Sequence, residues 1–159
     1  MASTITASTL KVTIREDIKL NGVQQGGVNA LSIGSINEIS KRIVTVTTTE
    51  AEILKFHATD IDAGRYIIGD VRYMRFTNLD DTNFITLTFT NENSDEVAIK
   101  LDAGQSFIWN ADNSGGLADV FNATEAANVA SDTALGDLTG IQADANTDSC
   151  DLEMLIASV

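Results

Sequence analysis

Proline is absent from this 159-residue chain, and cysteine, histidine and tryptophan occur once each. Average usage of about 5% would place several prolines in a chain of this length, so its turns must rely on Gly, Asn and Asp, and no X-Pro isomerisation slows its folding. A single cysteine, Cys150, excludes an intramolecular disulfide. It stands in the alternating run Cys150, Leu152, Met154, Ile156, where a small buried hydrophobe is expected. A single histidine, His57, cannot build the multi-histidine cage of cupin-type metal enzymes. Apolar runs of 18 residues are also missing, so no transmembrane helix is expected. The opening Met1-Ala2-Ser3-Thr4 lacks the basic segment and apolar core of an export signal, which sets the expectation of a part assembled in a cytoplasm.

Positive charge is scarce and unevenly placed. The formal net charge is −13, which argues against nucleic acid, because binding a phosphate backbone needs a basic face that displaces counterions. All ten Lys and Arg lie between Lys11 and Lys100, whereas residues 101–159 contain ten acids and no base. The acidic third reads as a solvated face. If copies of the chain associate, contact is expected on the first hundred residues, where Lys11, Arg15, Lys41, Arg42, Arg72 and Arg75 can meet a neighbour's acids. Residues 101–159 should avoid self-contact.

What the sequence has in abundance is strand periodicity. Ile85, Leu87 and Phe89, then Val97, Ile99 and Leu101, recur at every second position on either side of Asn91-Glu92-Asn93-Ser94-Asp95, which predicts an antiparallel hairpin. Leu10, Val12 and Ile14 alternate too and lead to Asn21-Gly22, among the strongest short hairpin signals. Leu31 and Ile33 suggest a second strand. Further strands are expected around residues 43–48, 53–56, 71–77, 106–109, 117–121, 138–145 and 150–156. Residues 35–41 read as one helical turn or a bend between strands, and residues 123–135, rich in alanine, as a helix or a small-residue loop. No fixed-period repeat is visible.

The expected fold is all-β: an antiparallel, jelly-roll-like β-sandwich spanning residues 10–159 as one domain, with residues 1–9 as a flexible arm or frayed terminus. Its predicted core is Leu10, Val12, Ile14, Tyr73, Ile85 and Leu87, with Phe89, Val97, Ile99, Leu101 and Met154.

Chemistry is sparse. Nothing near His57 supplies a nucleophile and an orienting partner, so a structural or surface role is expected. Asp144-Ala145-Asn146-Thr147-Asp148 begins like an EF-hand loop, but Ser149 replaces the turn glycine and Leu155 the bidentate glutamate; Asp60, Asp62 and Gly64 are similarly incomplete. Trp109 and Tyr73 alternate with apolar neighbours, as core or interface residues do rather than sugar platforms. Gly26-Gly27 and Gly115-Gly116 lack the Lys-Ser/Thr of a phosphate loop. No catalytic residue, metal site or cofactor is expected, and no membrane partner.

Two stretches carry a resemblance. Met1 to Ile14 leading to Ile39-Ser40-Lys41-Arg42-Ile43-Val44, and Val71-Arg72-Tyr73-Met74-Arg75-Phe76-Thr77-Asn78-Leu79-Asp80-Asp81-Thr82-Asn83-Phe84 continuing to residues 100–107, resemble small virion structural proteins of tailed bacteriophages of marine and cyanobacterial hosts. The resemblance is loose over residues 115–136. It implies a β-rich, non-enzymatic part of the particle, on the head or in the tail. The expectation is a capsid decoration or cement protein that self-associates around a symmetry axis, with a trimer as one candidate, and binds the major capsid protein. A tail-associated receptor- or carbohydrate-binding module is the alternative.

Overall fold

A computed structural model describes residues 5–59, 64–123 and 135–159. Its strands are β1 (Ser8–Arg15), β2 (Lys19–Leu20), β3 (Val23–Gln24), β4 (Val28–Ile36), β5 (Glu38–Val46), β6 (Ala51–His57), β7 (Arg65–Ile67), β8 (Val71–Asn78), β9 (Ile85–Asn91), β10 (Glu96–Leu101), β11 (Ser106–Asn110), β12 (Leu138–Ala145) and β13 (Cys150–Ser158). A 3-10 turn at Ile68–Asp70 precedes β8. No α-helix occurs among the described residues. Residues 124–134 of the alanine-rich segment and residues 60–63 of the loop ending at Gly64 lie outside them.

Eight of these strands form a jelly roll. One sheet runs β10-β9-β12-β6 with β7 added at its edge, and the other β11-β8-β13-β5. The antiparallel pairs β9/β10, β8/β11, β6/β12 and β5/β13 are nested in sequence, as when one long hairpin is rolled into two facing sheets. Side chains that alternate inward from both sheets make the core: Leu54, Phe56, Met74, Phe76, Ile85, Leu87, Phe89, Ile141, Leu152 and Met154. Phe76 and Phe89 meet edge-on across it, centroids 6.4 Å apart.

Buried asparagines tie the loops to the ends of the roll. Asn78 donates to the carbonyls of Asn83 and Leu101 and accepts from the amide of Asp80. Asn91 donates to the Phe121 carbonyl and accepts from the amides of Asn93 and Asp95. Each amide group therefore satisfies backbone groups that the loops would otherwise leave unpaired. Gly116 fits a tight crossing: its φ is +64°, and an added Cβ would lie 2.1 Å from the Ile68 carbonyl oxygen.

Strands β1 to β4 belong to neither sheet. Among the described residues β1 pairs only with β4, and β2 only with β3, so residues 8–36 are one long hairpin whose chain runs directly into β5. Asn21 and Gly22 at its tip have φ of 51° and 79°, the positive pair that a type I′ turn requires. The bend between strands expected at residues 35–41 falls at Asn37, whose amide donates to Ser158 at the end of β13.

This arrangement corrects part of the expected core. The sandwich begins at Glu38, and Leu10, Val12 and Ile14 stand outside it because their strand finds its only partner in β4. Leu10 and Val12 are half-buried against a small satellite cluster, and Ile14 is exposed. Tyr73 is buried, but on the outer face of β8, where Ile33 and Ile36 cover it. Val97 is exposed on edge strand β10. Residues 117–121 form no strand among the described residues and enter one isolated bridge, Phe121 to Gly136, because positive φ at Gly116 and Asp119 breaks the extended run.

Candidate functional site: a projecting arm and a sheet face

The hairpin is an arm anchored at its root. Ile33, Ile36, Leu10 and Val12 pack on Tyr73, Leu155, Ala157 and Val159, on the outer side of the four-stranded sheet. Beyond that root the arm is bare: from Thr13 to Ser32 every residue except Gly26 is exposed. Nine residues separate Val12 from the tip at Asn21, a reach of about 30 Å at 3.3 Å per residue.

Alternation gives this arm two unlike faces. The register pairs Leu10 with Ile33, Val12 with Leu31 and Ile14 with Asn29, so one face is an apolar stripe; Lys11, Thr13 and Arg15 share the other with Ser32, Ala30 and Val28. The stripe is covered at the root and open beyond it. Apolar surface continues to the tip through Ile18 and the cross-strand partners Leu20 and Val23. Ile14, Ile18, Leu20, Val23 and Leu31 of the arm are between 36% and 63% exposed. Single exposed apolar residues are ordinary, but several gathered on one two-stranded arm mark an interaction surface.

The second element is the outer face of the four-stranded sheet. Lys41 Nζ lies 3.0 Å from Glu153 Oε2, and Arg75 binds the other carboxylate oxygen. The Arg75 guanidinium first, then the Lys41 ammonium, hold the Glu153 carboxyl below its ordinary pKa. On either side of Lys41 along β5 stand Ile39 and Ile43, 62% and 58% exposed. Strand β5 is the sheet's edge.

The six basic residues proposed from sequence divide accordingly. Lys11 and Arg15 are on the arm, and Lys41 and Arg75 meet on the sheet face. Arg42 turns across the sandwich edge and donates to the Ile53 carbonyl at 2.6 Å. Arg72 is buried, its guanidinium donating to the carbonyls of Gly69 and Val71, so it holds the turn before β8 rather than presenting a charge. Sequence reasoning missed the bare apolar stripe. The Asn21-Gly22 turn flanked on both sides by apolar residues marks the hairpin in sequence, whereas the lack of a third strand appears only in the fold.

Elsewhere the side chains serve the fold. Cys150 is fully buried, its thiol donating to the Asp148 carbonyl at 3.5 Å, and burial pushes its pKa up. His57 Nδ1 accepts from the Thr59 amide. Asn146 Oδ1 accepts from the Phe84 amide, so that oxygen of the EF-hand-like loop is already engaged. Burial, then the neighbouring Glu50 charge, raises Asp144. Among the described residues no group of three or more His, Cys, Asp or Glu is placed to hold a metal, and no helix is long and apolar enough to cross a membrane. An apolar recess of about 270 Å³ opens between β10 and β11. Phe89, Phe107 and Trp109 line it and pack against one another at centroid distances of 5.4 to 6.1 Å. Its lining offers few polar partners for sugar hydroxyls.

The chain is thus an all-β sandwich of jelly-roll topology with an appended hairpin. No protein-family model and no curated protein matches it. Among solved structures it is similar to a chain of Bacillus endospore appendages, described as a novel family of disulfide-linked pili, with a TM-score of 0.41 and 11% identity over 100% of this chain and 95% of that one.

Proposed function

We propose that this protein is a non-enzymatic structural component of a bacteriophage virion, a head-decoration or cement protein that assembles with copies of itself and seats on the major capsid protein. The observation that carries the assembly role is the arm: a jelly roll with its own closed core extends a two-stranded segment whose apolar stripe, beyond its covered root, is left exposed by the described residues. Exposing such a stripe in water is unfavourable by roughly 25 cal/mol per Å², so a partner that covers it gains that free energy. The virion setting is supported by the sequence resemblance carried on residues 1–14, 39–44, 71–84 and 100–107. In this reading the protein assembles in the host cytoplasm and ends in the particle. Neither nucleic acid nor membrane is a partner.

Densitometry of purified particles tests it. A decoration protein is present in copies tied to the number of capsid subunits. A few copies per particle would move the protein to the tail, as a receptor- or carbohydrate-binding module, and absence from the particle would overturn the assignment.

A further inference from the structure

We infer that the arm's partner is a second copy of this chain, and that its apolar stripe lies on the Ile39-Ile43 face of that copy's four-stranded sheet, a head-to-tail contact in which every copy both gives an arm and receives one. The inference rests on the assembly reading above and deepens it.

Charge selects the occupant. Residues 1–37 carry three bases and two acids, a net +1, whereas residues 38–159 carry seven bases and 21 acids, a net −14. An arm approaching another copy's body is drawn to it, while two bodies repel each other and two arms gain nothing from charge. Apolar surface selects the place. Among the described residues Ile39 and Ile43 are the most exposed large hydrophobics of the body, they lie on one face of one strand, and they border the same outer sheet surface that the arm's root already covers within its own chain. The outer part of the stripe would then meet in a neighbour the kind of surface its root meets at home. Because donor and acceptor patches differ, the contact is heterologous and closes only as a ring or continues as an open chain.

Two full-length variants and their mixture test this by sedimentation velocity. Ile14→Asp with Leu31→Asp removes the donor stripe, and Ile39→Asp with Ile43→Asp removes the acceptor. All four side chains are exposed and outside the sandwich core, so each variant should keep the wild-type melting temperature. Each alone should sediment as a monomer at concentrations where the wild type is assembled. An equimolar mixture should form one-to-one heterodimers, since one variant retains the arm and the other the face. Val28→Asp, on the opposite face of the arm, should assemble as the wild type does. If the wild type assembles and the Ile39/Ile43 variant assembles equally well, the arm docks elsewhere and the inference fails while self-assembly stands. A mixture that remains monomeric overturns it as well. A wild-type chain that is monomeric throughout overturns self-assembly and the inference together.

Discussion

The arm and the jelly roll are both antiparallel β-structure with alternating hydrophobicity, yet one closes a core and the other does not. In the roll, Leu87 on β9 is fully buried in the core that both sheets fill, with Ile99 on β10 and Ala143 on β12 beside it in register. In the arm, Leu20 and Val23 pair across two strands with nothing stacked on them. An isolated two-stranded hairpin is marginal in water. The difference teaches that a period of two shows a strand has an apolar face, and leaves open whether that face belongs to the chain's own core or to a neighbour.

The largest expected contrast is between those two leucines. Leu87→Ala should destabilise the monomer by about 2–5 kcal/mol through lost burial and the cavity left behind. Leu20→Ala should stay within about 0.5 kcal/mol, as surface changes do. Denaturant midpoints of the two variants, measured at concentrations too low for assembly, check this. Equal losses would show that the arm is part of the cooperative unit.

A smaller effect concerns the ends of the roll. Asn78→Ala removes two donors and an acceptor from buried backbone groups, and about 1–3 kcal/mol should be lost for the groups left unpaired. Because the arm's root packs on Tyr73, Leu155, Ala157 and Val159, assembly should respond only through the fraction folded. Calorimetry of the variant beside the wild type gives the answer.

Acid should weaken the body through its carboxylates. Asp80, chiefly through the amides of Asn83 and Thr82, Asp112, chiefly through the Ser114 hydroxyl and the Gly115 amide, and Glu153, through Arg75 and Lys41, are all held below their ordinary values. A carboxyl depressed in the folded state binds its proton more readily when the chain is unfolded. Its stabilising contribution is present above the unfolded pKa, near 4, and is lost as pH falls through the folded value. Asp144 has the opposite sign: raised by burial and Glu50, its contribution is lost as pH rises through the folded value. Melting temperature should therefore fall on acidification below about pH 4, and Asp144→Asn should raise it slightly at neutral pH. A melting temperature that rises on acidification would mean that Asp144 outweighs the other three.

Much of the roll was legible in the sequence. The β9/β10 hairpin, its Asn91-to-Asp95 turn, β12 at Leu138–Ala145 and the burial of Cys150 follow from alternation and turn chemistry that the tertiary structure only confirms in place. The tip of the arm was legible too, since Asn-Gly is suited to the paired positive φ observed there. Tyr73 was misplaced because β8 is apolar on both faces: Met74 and Phe76 fill the core while Tyr73 supports the arm's root. Arg72 was misread as an available charge because its place at the start of β8, beside the carbonyls of Gly69 and Val71, depends on a 3-10 turn that no sequence period announces. The arm's bareness was illegible for a further reason. Exposure is set by which strands lack a third partner, and pairing across the fold is not written in local pattern.

Amide hydrogen exchange, read by mass spectrometry at a concentration below assembly and again at one above it, tests the central claim most directly. Peptides spanning Thr13 to Ser32 should exchange fast in the dilute protein and become protected when it is concentrated, while peptides from β9 should be protected equally at both. Arm amides that are as slow in the monomer as those of β9, or that gain no protection in the assembled protein, would contradict the account.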